Sequence, residues 1–357
     1  MKRMKIVHIL TDTNIGGAGH YLKAYLAAHD RENFDVHVIL PQGSLLSPAI
    51  SSFSVPVHEI AHIGDRSISL RGIYEIYRTL KRLKPDIVNT HASFSGRIAA
   101  KMLRITVIHT RHYCLTSNRM GFMNNFFSDG VIATSPKVEA GLIEAGTNPK
   151  RITTIFNGVP PLRKLSEDEK SIVRNKYNIP HDAFVVIQMA RLDPIKGHNY
   201  SLDAAKILAD EPQIVFLFAG IGSLEEHIRK RIADEEINNV IMTGFISDVA
   251  EIVGISDLSL SASYSETTCL ALLEGMSIGL PAVVSDGGGN PITVQDMERG
   301  LVVPYGDGAA LAKAIFEMKN NVKLYKQLSD KALEGFEKYF RADIMAARIE
   351  ELYRSKQ

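Results

Sequence analysis

At 357 residues, the chain is longer than one hydrophobic core usually supports, and its 45% hydrophobic and 23% charged residues are typical of a globular protein, so we expect two domains. Its two cysteines, Cys114 and Cys269, lie far apart without metal-binding spacing, which excludes a zinc-finger or disulfide framework and fits a reducing cytosol. The sequence has no apolar run long enough to span a bilayer, so any membrane association is expected to be peripheral.

The net charge of +1 hides an uneven distribution. Residues 1–160 hold 19 Lys and Arg against 11 Asp and Glu, a net charge of +8, and the remainder carries a net charge of −7. Eleven basic residues lie between Arg66 and Arg119, where the acids are Glu75 and Asp86. This excess predicts that region 66–119 meets an anionic partner. The neutral total charge and the lack of a known binding module disfavour nucleic acid.

Short β-branched runs alternate with helix-period stretches along the chain, which predicts parallel sheets with crossover helices. The predicted strands are KIVHIL, VHVIL, DIVNTH, ITVIHT and GVIATS in the first half, and FVVIQMA, IVFLFAG, VIMTGF, LSLSAS, PAVVSD and LVVP in the second. The turn residues of TTIFNGVPPLRKL, residues 153–165, mark a linker. We therefore predict doubly wound α/β domains at 1–160 and 161–340. A C-terminal helix in 341–357 either packs back on the first domain or caps the second.

Doubly wound sheets bind ligands beyond the carboxyl ends of their strands, so the loops there are the candidate sites. The first is TDTNIGGAGH, residues 11–20, where Gly16, Gly17 and Gly19 allow close backbone approach and leave helix amides for an anion. The G-x-G-x-x-G dinucleotide fingerprint is not met. A tight turn that needs glycine for geometry alone explains the loop equally well.

The loop ARLDPIKGH presents Arg191 and Lys196 before a helix that is predicted to begin near Gly197. A guanidinium fork and a mobile ammonium suit a diphosphate, because together they offset its charge without a metal. No D-x-D element is evident, so no metal site is predicted. Taken alone, this pair also fits ordinary exposed charges.

The stretch SETTCLALLEG places Glu266 in a loop and Glu274 on the following helix. The amides from Thr267 to Leu270 are expected at the start of that helix, where they could bind phosphate. The two acids would then contact different parts of one long ligand: a sugar, a diphosphate and a ribose in line. Taken alone, either glutamate is better explained as a charge on a helix surface than as a ligand contact.

Together these motifs resemble the retaining glycosyltransferases of family 4. The resemblance rests on Glu266 and Glu274 as E-x7-E, on RLDPIKG, on NGV at 157–159 and on the glycine pair 16–17. It extends over almost the whole chain through GFISD (244–248), GLPAVVSDGGG (279–289) and LVVPYGDGAALAKAI (301–315). It implies a GT-B fold, in which an N-terminal acceptor domain and a C-terminal nucleotide-sugar domain face a central cleft.

The resemblance also implies a role for each matching residue. Arg191 and Lys196 would hold the leaving diphosphate, Glu266 would contact the donor sugar and Glu274 would bind the ribose. His112 would lie near the donor sugar, with His109 as a competitor and His91 as a structural histidine. The remaining expected donor-binding residues are Gly16, Gly17, Thr267, Thr268, Cys269 and Leu270, with Gly244 and Phe245 against the nucleobase.

The implied reaction is metal-independent, uses no cofactor and takes a UDP- or GDP-sugar as donor. With the departing diphosphate stabilised, the acceptor hydroxyl would attack from the leaving-group face, without a carboxylate nucleophile. One departure from the family is Pro291–Ile292, where many relatives have Pro-Glu, and this weakens arguments that place that glutamate at the donor sugar. Gly287, Gly288 and Gly289 still permit a close-approaching loop.

The expected acceptor is a saccharide or lipid-linked hydroxyl of bacterial-type envelope or polysaccharide synthesis. YEIYRTLKRLK, residues 74–84, reads either as a basic helix on an anionic membrane or as an ordinary crossover helix, and Phe122, Met123, Phe126 and Phe127 follow as interface-seeking or core residues. The expected location is the cytoplasm, peripheral to the inner face of the membrane.

Other function classes remain open from the sequence. A sugar-nucleotide epimerase would use a similar diphosphate site but needs an acid and a base at the donor sugar, for which His112 and Glu266 are the evident candidates. A non-catalytic sugar-nucleotide-binding protein would keep the same residues. A nicotinamide oxidoreductase is suggested by GIGSLE at 220–225, which lacks the third glycine.

Overall fold

A computed structural model describes residues 3–14, 16–64, 68–113, 118–295 and 297–357, with the side chains of 118–120 left out. Arg66, Cys114 and the Arg119 side chain, which belong to the predicted basic region and cysteine inventory, therefore lie outside the described residues. The chain divides into two compact units. The first comprises Met1–Pro160 with Arg341–Gln357, and the second comprises Pro161–Phe340.

The first unit is a parallel sheet with helices on both faces. Its described strands have the order β3-β2-β1-β4-β5-β6-β7. They are β1 (Met4–Leu10), β2 (Phe34–Pro41), β3 (Val57–Ile60), β4 (Ile87–His91), β5 (Thr106–Arg111), β6 (Gly130–Ala133) and β7 (Ile152–Thr154). The helices before the linker are α1 (Gly17–Ala28), α2 (Leu46–Ser51), α3 (Leu70–Leu83), α4 (Phe94–Met102), α5 (Asn118–Phe127) and α6 (Pro136–Glu144).

Side-chain alternation along these strands builds one core on each face of the sheet. On one face, Ile6 and Ile108 pack with α1 and with the last helix, which is α15 (Ala342–Arg354) once the second unit is numbered. On the other face, Val7 and Val88 pack against Ile76 and Leu80 of α3. Because both faces are covered, the strands read as nearly continuous apolar runs. Residues 74–84, which read either as a basic membrane-surface helix or as an ordinary crossover helix, fall on α3 and its C-cap, and α3 is a crossover helix that buries one side.

The second unit repeats the architecture. Its described strands have the order β10-β9-β8-β11-β12-β13. They are β8 (Phe184–Met189), β9 (Ile214–Ala219), β10 (Val240–Gly244), β11 (Leu258–Ser261), β12 (Ala282–Ser285) and β13 (Gly300–Val303). The helices are α7 (Glu167–Lys176), α8 (His198–Ile207), α9 (Glu225–Asp234), α10 (Val249–Gly254), α11 (Leu270–Met276), α12 (Asn290–Val294), α13 (Gly308–Asn320) and α14 (Val322–Gly335), followed by a π-helical turn at Phe336–Phe340.

Both sheets have doubly wound topology, which confirms the predicted fold class. In each sheet the strand order reverses beside the first strand of the unit: between β1 and β4, and between β8 and β11. Loops that leave neighbouring parallel strands on either side of such a reversal diverge and open a crevice. These two points are where ligand-binding side chains are expected. In the described chain, no helix has the length and apolarity needed to cross a bilayer.

Candidate functional site

Two loops of the second unit meet beside the strand reversal. One loop follows β8 and ends at Lys196, and the other follows β11 and contains Glu266. The Lys196 Nζ atom donates to Glu266 Oε1 at 2.5 Å, and the two side chains are only 20% and 12% exposed. The fold therefore brings together two charged residues that lie 70 positions apart in sequence. An ion pair so little exposed is screened by water much less than a surface pair.

Backbone contacts fix the two loops against each other. Gly197, which follows Lys196, has φ +70°, and a Cβ there would lie 1.9 Å from the carbonyl oxygen of Ala262. The amide of Tyr264 donates to the Ile195 carbonyl at 2.9 Å. Gly197 is thus required both for its left-handed conformation and for the close approach. A side chain at this position would push the Lys196 and Glu266 loops apart.

The Lys196 loop is also anchored from inside the sheet. Gln188, a buried residue of β8, donates from Nε2 to the Lys196 carbonyl oxygen at 2.8 Å. Ser201 of α8 donates to Gln188 Oε1 at 2.5 Å, which fixes the orientation of the amide. Sequence reasoning missed Gln188, and its signal is a polar residue inside the otherwise apolar run FVVIQM.

The Glu266 loop is held by the three glycines at 287–289. A Cβ on Gly287 would lie 2.1 Å from the Ser263 carbonyl oxygen, and one on Gly288, whose φ is +68°, would lie 2.2 Å from the Glu266 amide nitrogen. The Gly289 amide donates to the Glu266 carbonyl at 2.6 Å. The close approach predicted for these glycines is thus made to the protein's own backbone, and it supports the loop that carries Glu266.

The Glu266 carboxylate divides its two oxygens unequally. Oε1 accepts from both Lys196 and the Ser263 hydroxyl, the latter at 3.2 Å. Among the described residues, none donates a hydrogen bond to Oε2. Ser263 is itself held because Ser285 donates to its carbonyl oxygen at 2.6 Å. One carboxylate oxygen is therefore used to position the side chain, and the other is available to a ligand.

Arg191 does not join the Lys196–Glu266 pair. Its guanidinium is 76% exposed and forms an ion pair with Asp193 at 2.9 Å on the same loop. An exposed pair of this kind contributes little to stability, so the guanidinium can leave it at small cost.

The helix after Glu266 begins later than the sequence predicted. Thr267 and Thr268 lie in the loop, Cys269 is the N-cap and α11 starts at Leu270. The amides of Thr267 and Thr268 are therefore loop amides rather than helix amides, and Gly288 and Gly289 pack against the Glu266 and Thr267 backbone of this loop. Burial, with the nearby Glu266 charge, raises the pKa of the Cys269 thiol to about 12, so the thiol is neutral at physiological pH.

Glu274, on α11, is half-buried, and its carboxylate has no hydrogen-bond or ion-pair partner among the described residues. Removal from water disfavours the charged form, which raises the pKa of Glu274 to about 7. A carboxyl group that titrates near neutrality and lacks a protein partner is a candidate ligand contact.

Gly244 is the last residue of β10 and Phe245 follows it, at the carboxyl edge of the second sheet. Gly244 has φ +71° and open space around the position of a Cβ. The Phe245 ring is 73% exposed. The segment thus presents an unobstructed backbone and an accessible aromatic face.

In the first unit, Gly16 is the N-cap of α1 and Gly17 is its first residue. Neither would bring a Cβ within 4 Å of another group, and no side chain caps this helix end. The Gly16 amide donates to the Asn14 carbonyl oxygen at 3.1 Å, so of these two glycines it is Gly17 whose amide is left for water or for an anion.

His112 and its competitor His109, expected near the donor sugar, and His91, expected to be structural, occupy different positions. His112 lies just beyond β5 and is half-buried, and its Nε2 is 2.9 Å from His91 Nδ1. His91, at the end of β4, is fully buried. His109 is also buried within β5, with Nδ1 against the Thr90 carbonyl at 3.0 Å. Of the three, only His112 has appreciable exposure to solvent.

Across the described ranges, no group of three or more His, Cys, Asp or Glu side chains is arranged to hold a metal ion. The charges that face the Glu266 loop come from side chains and backbone dipoles.

Two family models match successive parts of the chain. Residues 15–163 match the family 4 glycosyltransferase model, and residues 169–334 match the model of glycosyl transferases group 1. A galactosyltransferase of Escherichia coli, UDP-Gal:alpha-D-GlcNAc-diphosphoundecaprenol alpha-1,3-galactosyltransferase, is 25% identical over 382 aligned positions, which cover 98% of this chain and 97% of that protein. The capsular polysaccharide biosynthesis glycosyltransferase CapM of Staphylococcus aureus is 22% identical, with 99% and 97% covered.

The fold is also found among solved structures. Anabaena Alr3699/HepE, in complex with UDP and glucose, superposes with a TM-score of 0.87 at 22% sequence identity, and the match covers 99% of this chain and 100% of that one.

Proposed function

Because this chain belongs to the family 4 glycosyltransferases and has the GT-B fold, we propose that it transfers a sugar from a nucleoside-diphosphate sugar to a hydroxyl group of a saccharide or lipid-linked acceptor, in polysaccharide or envelope synthesis. The observation that carries this proposal is the Lys196–Glu266 pair at the strand reversal of the second sheet. The names of the relatives support it: one uses UDP-Gal with a diphosphoundecaprenol acceptor, one serves capsular polysaccharide biosynthesis, and the HepE structure holds UDP and glucose.

The donor diphosphate is assigned to Lys196 and Arg191. An ammonium group has three N–H donors, and Lys196 uses one on Glu266, so two are left for phosphate oxygens. Arg191 adds a planar fork that can leave Asp193 for a stronger bidentate partner. Two cations offset the charge of a diphosphate, so the transfer needs no metal ion. The amides from Thr267 to Leu270 complete the anion-binding set of the second unit. Gly16 and Gly17 of the first unit are assigned to donor binding from the family resemblance alone.

Glu266 is assigned to the donor sugar. Its Oε1 is occupied by Lys196 and Ser263, so its Oε2 accepts a hydrogen bond from a sugar hydroxyl. The pair thereby links the position of the sugar to that of the phosphate group. His112, which belongs to the first unit, is assigned to the donor sugar from the family resemblance alone. Glu274 accepts hydrogen bonds from the ribose, and Gly244 with Phe245 lies against the base of a UDP- or GDP-sugar.

The reaction follows from these positions. As the bond between the anomeric carbon and the phosphate oxygen lengthens, positive charge develops on the sugar and negative charge on the diphosphate. Lys196 and Arg191 stabilise the negative charge on the diphosphate more strongly in the transition state than in the ground state. The acceptor hydroxyl attacks the same face of the sugar, and its proton passes to the departing phosphate oxygen. The anomeric configuration is therefore retained, without a carboxylate nucleophile.

We also propose that the basic region of the first unit binds the anionic inner face of a membrane. The exposed side of α3 presents Leu70 and Tyr74 beside basic residues, and α5 presents the stacked rings of Phe122 and Phe126, whose centroids are 5.9 Å apart. Helix α4 lies between these two helices and contacts both. Exposed apolar rings flanked by Lys and Arg suit the boundary between headgroups and acyl chains.

Donor binding and transfer test the proposal together. The purified protein is screened for thermal stabilisation by UDP-, GDP- and ADP-sugars in EDTA and then with Mg²⁺, because a ligand that binds the native state must raise its melting temperature. One donor is expected to give a shift of equal size in both conditions. A shift that appears only with Mg²⁺ would contradict metal-independent binding.

The matched variants are Glu266→Gln and Lys196→Met, with Lys230→Met as control. Lys230 forms a 2.6 Å pair with Asp234, but that pair is exposed on α9. We expect the first two variants to lose at least 100-fold in transfer rate, in the range seen when a preorganised charge is removed from an active site, and the control to keep it. Full transfer by Glu266→Gln would remove Glu266 from the site. An epimerised donor formed without acceptor would favour an epimerase instead.

A further inference from the structure

Three histidines from three neighbouring strands form one file of hydrogen bonds in the first unit. His8 on β1 places Nδ1 3.1 Å from His91 Nε2, and His91 on β4 places Nδ1 2.9 Å from His112 Nε2. The rings are stacked, with centroids 5.4 and 5.2 Å apart. His8 and His91 are fully buried, and His112 at the end of the file is partly exposed. The file thus runs from the core to the surface at the carboxyl edge of the sheet.

The inner end of the file contacts the last helix of the chain. His8 Nε2 lies 3.5 Å from the Tyr353 hydroxyl of α15. That hydroxyl accepts a hydrogen bond from Asn89 Nδ2 at 2.7 Å, and the Thr110 hydroxyl donates to Asn89 Oδ1 at 2.9 Å. The amide of Asn89 is therefore oriented from both sides.

All three imidazoles are neutral at physiological pH. Burial lowers the pKa of His8 and of His112 to about 3 and that of His91 well below its usual value. A neutral imidazole carries one N–H, so a ring that accepts at one nitrogen must donate from the other. Hydrogen bonds along the file therefore all run in one direction.

The Tyr353 hydroxyl selects that direction. Since it accepts from Asn89, its own proton is free for His8 Nε2, and His8 then donates to His91, which donates to His112. In the opposite direction, the Tyr353 proton would have no acceptor among the residues that the structure describes. Orphaned buried donors are costly, so the first arrangement is favoured.

We propose that His91, His8 and Tyr353 are positioning residues that hold His112 as the Nδ1–H tautomer. In this state His112 Nε2 is occupied by His91, and Nδ1 is a fixed hydrogen-bond donor. No described residue accepts from Nδ1, so this N–H is available to an oxygen of the donor sugar. This role rests on the proposed function, because it presumes that His112 contacts the sugar. It makes His112 a hydrogen-bond donor at the sugar, not a base.

The tautomer can be measured without any substrate. In the full-length protein labelled with ¹⁵N-histidine, two-bond ¹H–¹⁵N correlation spectra distinguish Nδ1–H from Nε2–H rings. We expect Nδ1–H signals from His8, His91 and His112 in the wild type, unchanged between pH 6 and pH 8. An Nε2–H signal from His91 or His112 would overturn the assignment. Signals as expected in a protein that transfers no sugar would refute the proposed function and leave the tautomer assignment standing.

The variant Tyr353→Phe tests whether the Tyr353 hydroxyl sets the direction of the hydrogen bonds along the three histidines. Tyr25→Phe is its control. Tyr25 is equally buried, its ring lies 5.0 Å from that of His8, and its hydroxyl has no hydrogen-bond partner in the described part of the chain. Both variants remove one buried oxygen beside the same histidine. We expect Tyr353→Phe to convert part of the His112 population to Nε2–H and to lower kcat/KM for the donor about tenfold, the effect of one lost hydrogen bond.

Tyr25→Phe is expected to leave both the His112 spectrum and kcat/KM unchanged. If the two variants behave alike in spectrum and rate, Tyr353 does not set the tautomer, and the proposal fails even if both proteins are folded.

Discussion

Replacing Glu274 by Gln should abolish the pH dependence of donor binding. Burial raises the pKa of this carboxyl to about 7, so it is partly protonated at neutral pH. Hydroxyls of a ribose donate to a carboxylate, and a protonated carboxyl loses part of its capacity to accept. If Glu274 binds the ribose, the donor binds the ionised form, and its affinity must fall as the pH falls through 7.

The size of the effect follows from the pKa. At pH 8 about nine-tenths of the Glu274 carboxyl is ionised, and at pH 6 about one-tenth, so the apparent Kd of the wild type should rise about tenfold between these two values. A Gln side chain does not titrate. The Kd of Glu274→Gln should therefore be flat over this range and no lower than that of the wild type at pH 8.

The assay is isothermal titration calorimetry with the UDP- or GDP-sugar that stabilises the protein. The intact donor is used because its diphosphate diester does not titrate between pH 6 and pH 8. At pH 7, titrations in buffers of different ionisation enthalpy should show about half a proton released per donor bound by the wild type and none by the variant. An equal pH slope in wild type and variant would refute the assigned role of Glu274.

The free energy of unfolding tests the burial of the Glu274 carboxyl without any ligand. The pKa of Glu274 is raised in the folded state, so its ionisation opposes folding increasingly from the unfolded-state value of 4.5 up to about 7. Glu274→Gln should thus leave stability unchanged at pH 4 and raise it at pH 8. Because the side chain is only half-buried, we expect a gain of about 1–2 kcal/mol, less than the full shift implies.

Two further predictions concern the glycine-supported loop and the exposed rings. Gly288→Ala should lower transfer more than tenfold, because its Cβ would displace the Glu266 backbone, whereas Gly43→Ala, with a similar φ of +72° but open space, should show only the small strain cost in thermal unfolding. Replacing Phe122 and Phe126 by Ser should reduce flotation with anionic liposomes several-fold without altering donor binding, and equal flotation with neutral liposomes would contradict the electrostatic part.

The sheets were the most predictable part of the structure, and the exceptions have a common cause. All six described strands of the second unit and five of the first coincide with runs predicted as strands, and ten of these eleven runs contain β-branched apolar residues, LSLS of β11 being the exception. The strands that sequence reasoning missed, β3 and β7, are the two edges of the first sheet. They are only four and three residues long and half-exposed, so VHEI and ITT lack the apolar signal of a buried strand.

For the candidate site, the sequence predicts only which residue types lie in the loops that follow the strands. It does not predict which of these residues contact each other. The contact between Lys196 and Glu266 depends on the packing of Gly197 on Ala262, which no local pattern contains. The loop before α11 packs against the glycines at 287–289, which lie in another part of the chain. His8 gave no signal, because its link to His91 joins strands 83 residues apart, and their register is set by the whole sheet.

Helix α15 makes the first unit discontinuous in the chain. The helix lies after the whole second unit in sequence, yet it packs on α1 and places Met345, Ile349 and Tyr353 in the core of the first. During synthesis, the first sheet therefore leaves the ribosome with one apolar face only partly covered, by α1 and α2, and about 180 further residues must follow before α15 can complete the cover. A fragment ending at Pro160 would keep the part of this face that α15 covers permanently exposed. Dissecting the two units for separate expression thus requires α15 to be joined to the first by a new linker.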